Sequence, residues 1–533
     1  MPRFRTPLLL ALTLLALLVA GLLAAPGFVD WRAAKPRLEA ELSHTLGRAV
    51  ALDGDFSLHF LPRPWLMAEG VRVANRPEGS EPELLRVARL EMRLALWPLL
   101  SGNFEVESLR LQRPVLLLER LADDRGNWDG MATRELMSSP SRAGAISLSN
   151  VEVFDGELVW RDHLAGREER LRGLDAQVSV DSLLGPVSGT GRFSYQGQPT
   201  TFDLAVAAPD RHARHALRLE LLFPDAGETQ VQLTGYFQRE ETEKPFEGRV
   251  TVTSSESSSL LLALTGAEVQ GINLGRLAAR SSLTWNRGEA RLEALEVDVA
   301  GSRLAGYARV WPEPGKTFEL NLATRYLNLD GLVASEALGW PGLALSPQLS
   351  GTLSLKIERL LWREQSLKEF DLAARLEKGE MLVDSLSLAL AGGGVVTAGG
   401  RLGLTPATQG LQGHVNAEIL NLRPHLATLG WEVEHLASDR LRRLVMDTAV
   451  QAQPGRLRLT DLEAELDRSR VSGSIDISKG PRSRFDLTLA IDELDLDRYF
   501  DPFEQWQANR LRDVDLDLVL EAEELRARGR QIG

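Results

Sequence analysis

The segments FELNLATRYLNLD (residues 318–330) and FDLTLAIDELDLD (residues 485–497) lie 167 residues apart and carry one pattern. In the first, Phe318, Leu320 and Leu322 alternate with Glu319, Asn321 and Ala323; in the second, Phe485, Leu487 and Leu489 hold the matching places. A period of two sends alternate side chains to opposite sides of a strand, so each segment has one wet and one greasy face. The likeness spreads outward. Residues 277–330 align without a gap on residues 444–497, with 17 of the 54 positions identical, chiefly apolar strand positions and the turn glycines Gly306 and Gly473. A weaker copy begins at VDSLSLALAGGGVV (383–396) and finishes at ILNLRP (419–424). Another begins at LDLVLEAEEL (516–525), where Leu516 and Leu518 alternate with Asp515 and Asp517, and this last copy reads as truncated.

Repeats of this kind stack into quasi-one-dimensional structures in which each unit buries its apolar face on its neighbours. The expected fold is mainly β, an elongated, repetitive antiparallel sheet with a few short helices. Helices are expected at 30–47, where Leu38, Leu42 and Leu46 recur every four residues before Gly47, and at 257–265 and 424–446. Three short helices are too few to cover so long a one-sided sheet. It must either fold onto itself around a closed core or curl into an apolar trough.

The chain has 533 residues, a net charge of -13, 44% apolar and 25% charged residues, and no cysteine. Such a composition is that of folded protein. The arginines are scattered, which argues against a nucleic-acid partner, since that needs a concentrated basic footprint. Without cysteine there is no disulfide, thiolate zinc site or cysteine nucleophile. Near the start, LLLALTLLALLVAGLLAA (8–25) is 18 residues without a charge, preceded by Arg3 and Arg5. At a rise of about 1.5 Å per residue it spans roughly 27 Å, close to the hydrocarbon thickness of a bilayer. Leu22 and Leu23 stand where a signal peptidase needs small residues, and Pro26 follows Ala25, so an uncleaved anchor is expected rather than a signal peptide. The organisation expected is a short head (1–7), a membrane helix (8–29), an amphipathic helix (30–47), an N-terminal β region (48–250) and a repetitive C-terminal β region (251–533).

No catalytic, cofactor or metal set emerges. His212 and His215 have helical ligand spacing, but the segment reads as a turn entering a strand, with no third ligand identifiable. Asp53-Gly54-Asp55 resembles the start of a calcium loop whose twelfth position is then Pro64, so a turn is expected. AGGGVV (391–396) lacks the Lys-Ser/Thr of a phosphate loop and reads as a turn or bulge. The carboxylates alternate with apolar residues and read as a solvated strand face.

FSLHFLPRPWLMAEGVRVAN (56–75), LRVARLEMRLALWPLLSGNFEVESLRLQRPVLLLERLADDRGNWDG (85–130) and ISLSNVEVFDGELVWRDHLAGREERLRGLDAQVSV (146–180), following one apolar span, resemble the N-terminal region of the AsmA family of Gram-negative bacteria. Leu109 to Pro114 and the turn Gly126-Asn127-Trp128 match its signature strand and turn, and the repeats from 277 onward resemble its C-terminal part. The resemblance implies a single-pass inner-membrane protein, held by residues 8–29, with its bulk in the periplasm. It further implies kinship with TamB-like, bridge-like lipid-transfer proteins, whose sheet curls into an apolar groove. The expected activity is passive phospholipid transport between inner and outer membrane, without catalysis or cofactor. Phe318, Leu320, Leu322, Phe485, Leu487, Leu489, Leu516 and Leu518 would line the groove. Asn127 and Asp129 would bond the signature turn's backbone, and Trp128 would cover a strand end. The alternative is a membrane-tethered scaffold that modulates outer-membrane protein assembly, through a partner in the outer membrane or its assembly machinery, without carrying lipid. Protein recovered from membranes should begin at Met1 or Pro2; N-terminal sequencing that instead finds a start near Phe28 would establish a cleaved signal.

Overall fold

The computed structural model describes residues 31–59, 64–95, 106–131, 148–164, 166–182, 185–238, 246–257, 259, 268–270, 275–286, 288–311, 317–330, 342–344, 350–362, 365–390, 392–403, 410–428, 438–480, 482–495, 514–527 and 530–531. The expected membrane span 8–29 lies outside these residues, as does most of the helix expected at 257–265. No helix among the described residues is long and apolar enough to cross a membrane. Two compact units divide the chain, Met1–Thr251 with Thr284–Arg287 and Val252–Leu283 with Gly288–Gly533.

The first unit opens with helix α1 (Trp31–Leu46), closed by Gly47 at φ 66°, the left-handed conformation a helix C-terminus favours. Strands follow: β1 (Val50–Leu52), β2 (Phe56–His59), β3 (Trp65–Ala74), β4 (Glu83–Leu94), β5 (Val106–Arg120), β6 (Leu148–Asp162), β7 (Arg167–Val180), β8 (Val187–Tyr195), β9 (Gln198–Val206), β10 (Arg214–Phe223), β11 (Thr229–Gln238) and β12 (Phe246–Ser254). β1 and β2 both pair with β3, and from there to β11 each strand pairs with the next, antiparallel except at β5–β6. Register decides which faces meet. Leu58, Leu66, Met92, Leu109, Val151, Val178, Gly189, Leu204, Leu219 and Leu233 are successive partners from β2 to β11, a row without a polar side chain. One residue along, Glu91, Arg110, Glu152, Gln177, Thr190, Asp203, Glu220 and Gln232 form the opposite, polar face.

Helix α1 lies on the apolar side of the first strands. Leu38 packs against the cluster of Leu52, Ala68, Val71 and Val87, and Leu42 and Leu46 against Val50, Val73 and Leu84. Its polar residues serve the free edge of β1: Ser43 Oγ accepts from Val50 N at 2.8 Å and Glu39 Oε1 from Leu52 N at 2.7 Å. An edge strand so occupied offers no template for association.

The second unit contains β13 (Glu268–Gln270), β14 (Leu277–Asn286), β15 (Glu289–Val299), β16 (Ser302–Val310), β17 (Phe318–Asn328), β18 (Gly342–Ala344), β19 (Gly351–Trp362), β20 (Gln365–Glu377), β21 (Glu380–Ala389), β22 (Gly394–Gly403), β23 (Gly410–Ile419), helix α2 (Arg423–Thr428), β24 (Leu444–Gln453), β25 (Arg456–Leu466), β26 (Ser469–Ser478), β27 (Ser483–Asp495), β28 (Val514–Ala527) and β29 (Arg530–Gln531). β13 and β18 pair with each other apart from the main sheet. From β15 to β28 the main sheet runs strand to neighbouring strand, antiparallel except at β17–β19 and β27–β28. Among the described residues the last strand does not return to pair with the first, so the sheet stays open. Of the helix expected at 424–446, the first residues form α2, 429–437 lie outside the described residues, and the end is corrected, since residues 444–446 open β24. Leu444, Met446, Val450 and Ala452 follow the strand period there, which overrides the helical reading.

The repeat has a structural counterpart that composition hides. β15 carries a bulge between Leu292 and Leu295, with Ala294 at φ 50°, and β25 carries one between Leu459 and Leu462, with Asp461 at φ 51°. Each extra residue shifts the alternation, so that Leu292, Leu295 and Val297 share one face, as do Leu459, Leu462 and Ala464. Bulges also bend a strand and raise its twist. The glycines expected in turns lie instead inside β16 and β26, a correction to the sequence reading, and are required by contact: a Cβ on Gly306 would collide with Asn321 O, and one on Gly473, at φ 141°, with Thr488 O. Gly306→Ala and Gly473→Ala should each destabilise by roughly 1–3 kcal/mol, since the neighbouring backbone must move. Thermal unfolding of the two variants checks this, and an unchanged midpoint would count against the close approach.

Candidate functional site

The apolar face of the second unit can be traced residue by residue. Leu292, Ala308, Leu320, Leu353, Ala374, Val383, Gly400, Gly413, Val450, Leu459, Ile475, Leu487 and Leu518 are successive register partners across thirteen strands from β15 to β28. Two residues along, Ala290, Val310, Phe318, Gly351, Leu376, Met381, Leu402, Leu411, Ala452, Leu457, Ile477, Phe485 and Leu516 form a second row. Neither contains a polar side chain. The intervening row is Arg291, Arg309, Glu319, Thr352, Arg375, Leu382, Arg401, Gln412, Gln451, Arg458, Asp476, Asp486 and Asp517, on the other side of the sheet.

The structure places all eight candidate lining residues in these rows or the next. Phe318, Leu320 and Leu322 are half-buried in β17, as are Phe485, Leu487 and Leu489 in β27. Leu516 and Leu518 in β28 are 53% and 48% exposed, beside Phe485 and Leu487. The rows therefore bring the two repeat copies into one surface. Residues that the sequence reading passed over, Leu353, Val383, Val450 and Ile475 among them, complete it. Their own alternation was the available signal, but without register nothing tied one strand's apolar set to the next.

Polar chemistry concentrates at the signature turn. Asn127 is fully buried; its Oδ1 accepts from Glu119 N at 3.0 Å, and its Nδ2 donates to Leu117 O at 2.9 Å and Asn75 Oδ1 at 3.1 Å. Asp129 Oδ2 accepts from Gly126 N at 2.9 Å. The Trp128 ring lies 5.7 Å from that of Trp160 and over Gly126, where any Cβ would collide with the indole. Arg48, just past α1, donates to the carbonyls of Asn127 and Asp129 at 3.0 and 2.9 Å, fixing the turn to the helix.

Beneath this turn sits Glu119, a fully buried carboxylate that the sequence reading missed. Asn75 Nδ2 donates to it at 2.8 Å and Ser80 N at 3.2 Å; the Ser80 hydroxyl, Arg161 and His163 complete its shell. Its partners are about forty residues away in sequence, so no local motif announces it. Burial, the largest single influence, pushes its pKa up, yet the bonds from Ser80, Asn75 and His163 together hold it below the ordinary carboxylate value. The other motifs have local roles. His215 is buried in β10 with Nδ1 3.0 Å from Ala207 O, and the amides of Asp53 and Gly54 bond to β3 carbonyls. No group of three or more potential metal ligands occurs among the described residues.

A lowered folded-state pKa stabilises above the unfolded carboxylate pKa, and this contribution is lost as pH falls through the folded value. Wild-type thermal stability should therefore fall on acidification, and Glu119→Gln should flatten part of that slope. Asn127→Ala, which leaves Glu119 N and Leu117 O unpaired, should cost about 1–3 kcal/mol at neutral pH. Melting curves across pH for the three proteins check both statements.

No solved structure matches. The chain is similar to the AsmA family protein YhjG of Escherichia coli (strain K12), 25% identical over 189 residues, which cover 33% of this chain and 26% of that protein. It is also similar to Protein AsmA of the same organism, 22% identical over 361 residues, covering 66% of this chain and 52% of that protein. The chain thus spans about a quarter and about half of these relatives. The AsmA family model matches residues 1–305, more than half of the chain, and the protein belongs to the AsmA family.

Proposed function

We propose that this protein works in outer-membrane biogenesis as a passive phospholipid conduit, anchored in the inner membrane by residues 8–29 with its body in the periplasm. The observation that carries the reading is the pair of unbroken apolar rows across thirteen strands of the second unit. Apolar area removed from water is worth roughly 25 cal/mol per Å². Acyl chains leaving a bilayer forfeit that stabilisation unless another apolar surface receives them. A face with the same character at every strand offers equivalent positions in succession, so one high barrier becomes many low ones. Bulges bend a strand, and those at Ala294, Glu369 and Asp461 are of the kind a trough would need. The polar face keeps the outside wet with ion pairs such as Arg456–Asp476 and Arg375–Asp384, both at 2.7 Å. Direction would come from a gradient or a partner.

Leu320→Asp and Leu487→Asp in the full-length protein test this. In an open trough the introduced carboxylate stays hydrated, so the thermal midpoint should hold while phospholipid co-purifying with the protein, read by mass spectrometry, is lost. In a sealed core the same buried charge costs several kcal/mol, and stability should collapse. Stable variants with undiminished lipid would remove these leucines from the route and favour the scaffold.

A further inference from the structure

The polar side of the first unit's sheet carries an open hollow of about 540 Å³. It lies where the bulges of β5, β6 and β7 fall beside one another, with Arg113 at φ 47°, Asp155 at φ 51° and Gly173 at φ 59°. Gly70, Gly156 and Gly173 line it without side chains. Around them stand Arg72, Arg86, Arg113 and Arg172, one from each of β3, β4, β5 and β7.

Register produces this convergence. Arg72, Arg86, Val115 and Glu157 are successive partners from β3 to β6, and the bulged pair Arg172-Gly173 faces Glu157. Beside that row, Arg113 faces Ala88, between the pairs Val87–Pro114 and Arg89–Gln112. Arg72 and Arg86 are thus like charges placed directly opposite each other, an arrangement that destabilises a sheet. Arg113 holds a left-handed backbone that glycine adopts freely and arginine only at a cost.

Other arginines on this face are neutralised by a neighbour: Arg89 by Glu91 at 2.8 Å, Arg110 by Glu152 at 2.7 Å and Arg192 by Asp175 at 2.7 Å. Around the hollow the balance is different. Arg72 takes up Asp53 at 2.6 Å and Glu83 at 3.0 Å. Glu157 is held by Arg170 at 3.1 Å, and the well exposed Arg172 approaches it only to 3.8 Å. Among the described residues Arg86 and Arg113 stand in no ion pair, and Asp155 is the one carboxylate of the hollow in the same position. Arg86, Arg113 and the loosely held Arg172 therefore confront a single free carboxylate.

We propose that this hollow binds a phosphate group. Guanidinium forks bond phosphate oxygens in pairs, and forks from three strands suit a tetrahedral, multiply charged anion, whereas one fork already saturates a carboxylate. The three glycines leave the anion room against the backbone. A bound phosphate also relieves the opposition of Arg72 and Arg86. The site lies on the side of the sheet away from the apolar rows, so it stands or falls independently of the lipid route. A soluble phosphate and a phospholipid headgroup offer the same chemistry, and the test separates them.

Full-length protein in neutral detergent is titrated by calorimetry, at constant ionic strength in chloride, with inorganic phosphate and with dihexanoylphosphatidic acid below its micellar concentration. The wild type should bind; heat with both probes identifies phosphate itself as sufficient, and heat with the lipid alone identifies a headgroup. Arg86→Gln and Arg113→Gln should each weaken binding about tenfold, the scale of one lost charge-assisted hydrogen bond. Asp155→Asn should tighten it, and Arg218→Gln, on β10 three strands beyond β7, should bind as the wild type does. The thermal midpoint of Arg86→Gln should not fall, because the substitution removes a repulsion. If Arg113→Gln does not fold, Arg86→Gln and Asp155→Asn still decide. Absence of binding to both probes overturns the proposal. So does undiminished binding in Arg86→Gln, or an equal loss in Arg86→Gln and Arg218→Gln, which would mark general charge attraction.

Discussion

A side chain in a strand has two directions open to it, and the backbone ladder ties its choice to that of its neighbour. That constraint governs both units. Once Leu320 faces one side, Ala308 and Leu353, its register partners, face the same side, and the choice passes along the sheet. It survives the parallel joins as well as the hairpins: β17–β19 sets Leu322 beside Leu355, and β27–β28 sets Leu489 beside Leu520. A single slip anywhere would turn the apolar set outward. The bulges at Ala294 and Asp461 prevent such a slip by absorbing the one residue that would otherwise break phase.

The polar face answers to a different requirement. Asp476, Asp486 and Asp517 are direct neighbours on adjacent strands, an arrangement that repels. Arg456 and Arg458 both bond Asp476, holding its pKa down at about 2, and Arg484 bonds Asp486. Exposed pairs of this sort contribute little to stability individually. Their effect is to keep one side of a large open sheet charged, soluble and unattractive to other apolar surfaces, so that exposure of the opposite side is confined to one face.

The first unit departs from this repetition where a structure without repeats is needed. Glu119, Asn127 and Asn75 form a buried polar knot that ties the turns 75–82 and 121–131 to β5, and Arg48 extends the tie to α1. Buried polar groups are tolerated when every member is satisfied, and such a network admits one geometry. The signature turn is thus a fixed corner in a body otherwise made of interchangeable strands.

The sequence by itself determined the strand period, the wet and greasy faces, the 167-residue repeat and the first helix, because each is written in local alternation or spacing. The turn residues Asn127, Trp128 and Asp129 were legible as a unit through the resemblance to the family's signature turn. Glu119 was not, since its meaning depends on Ser80, Arg161 and His163 arriving from distant turns. Nor were the bulges, because Ala294 and Asp461 share a backbone conformation without sharing a side chain. Periodicity also extended the helix at 424–446 past its end, where pairing of β24 with β23 and β25 claimed the chain. Above all, alternation says that a strand has an apolar face and not which strand's face lies beside it. Only hydrogen-bonded register, a property of two segments at once, joined thirteen separate alternations into one surface.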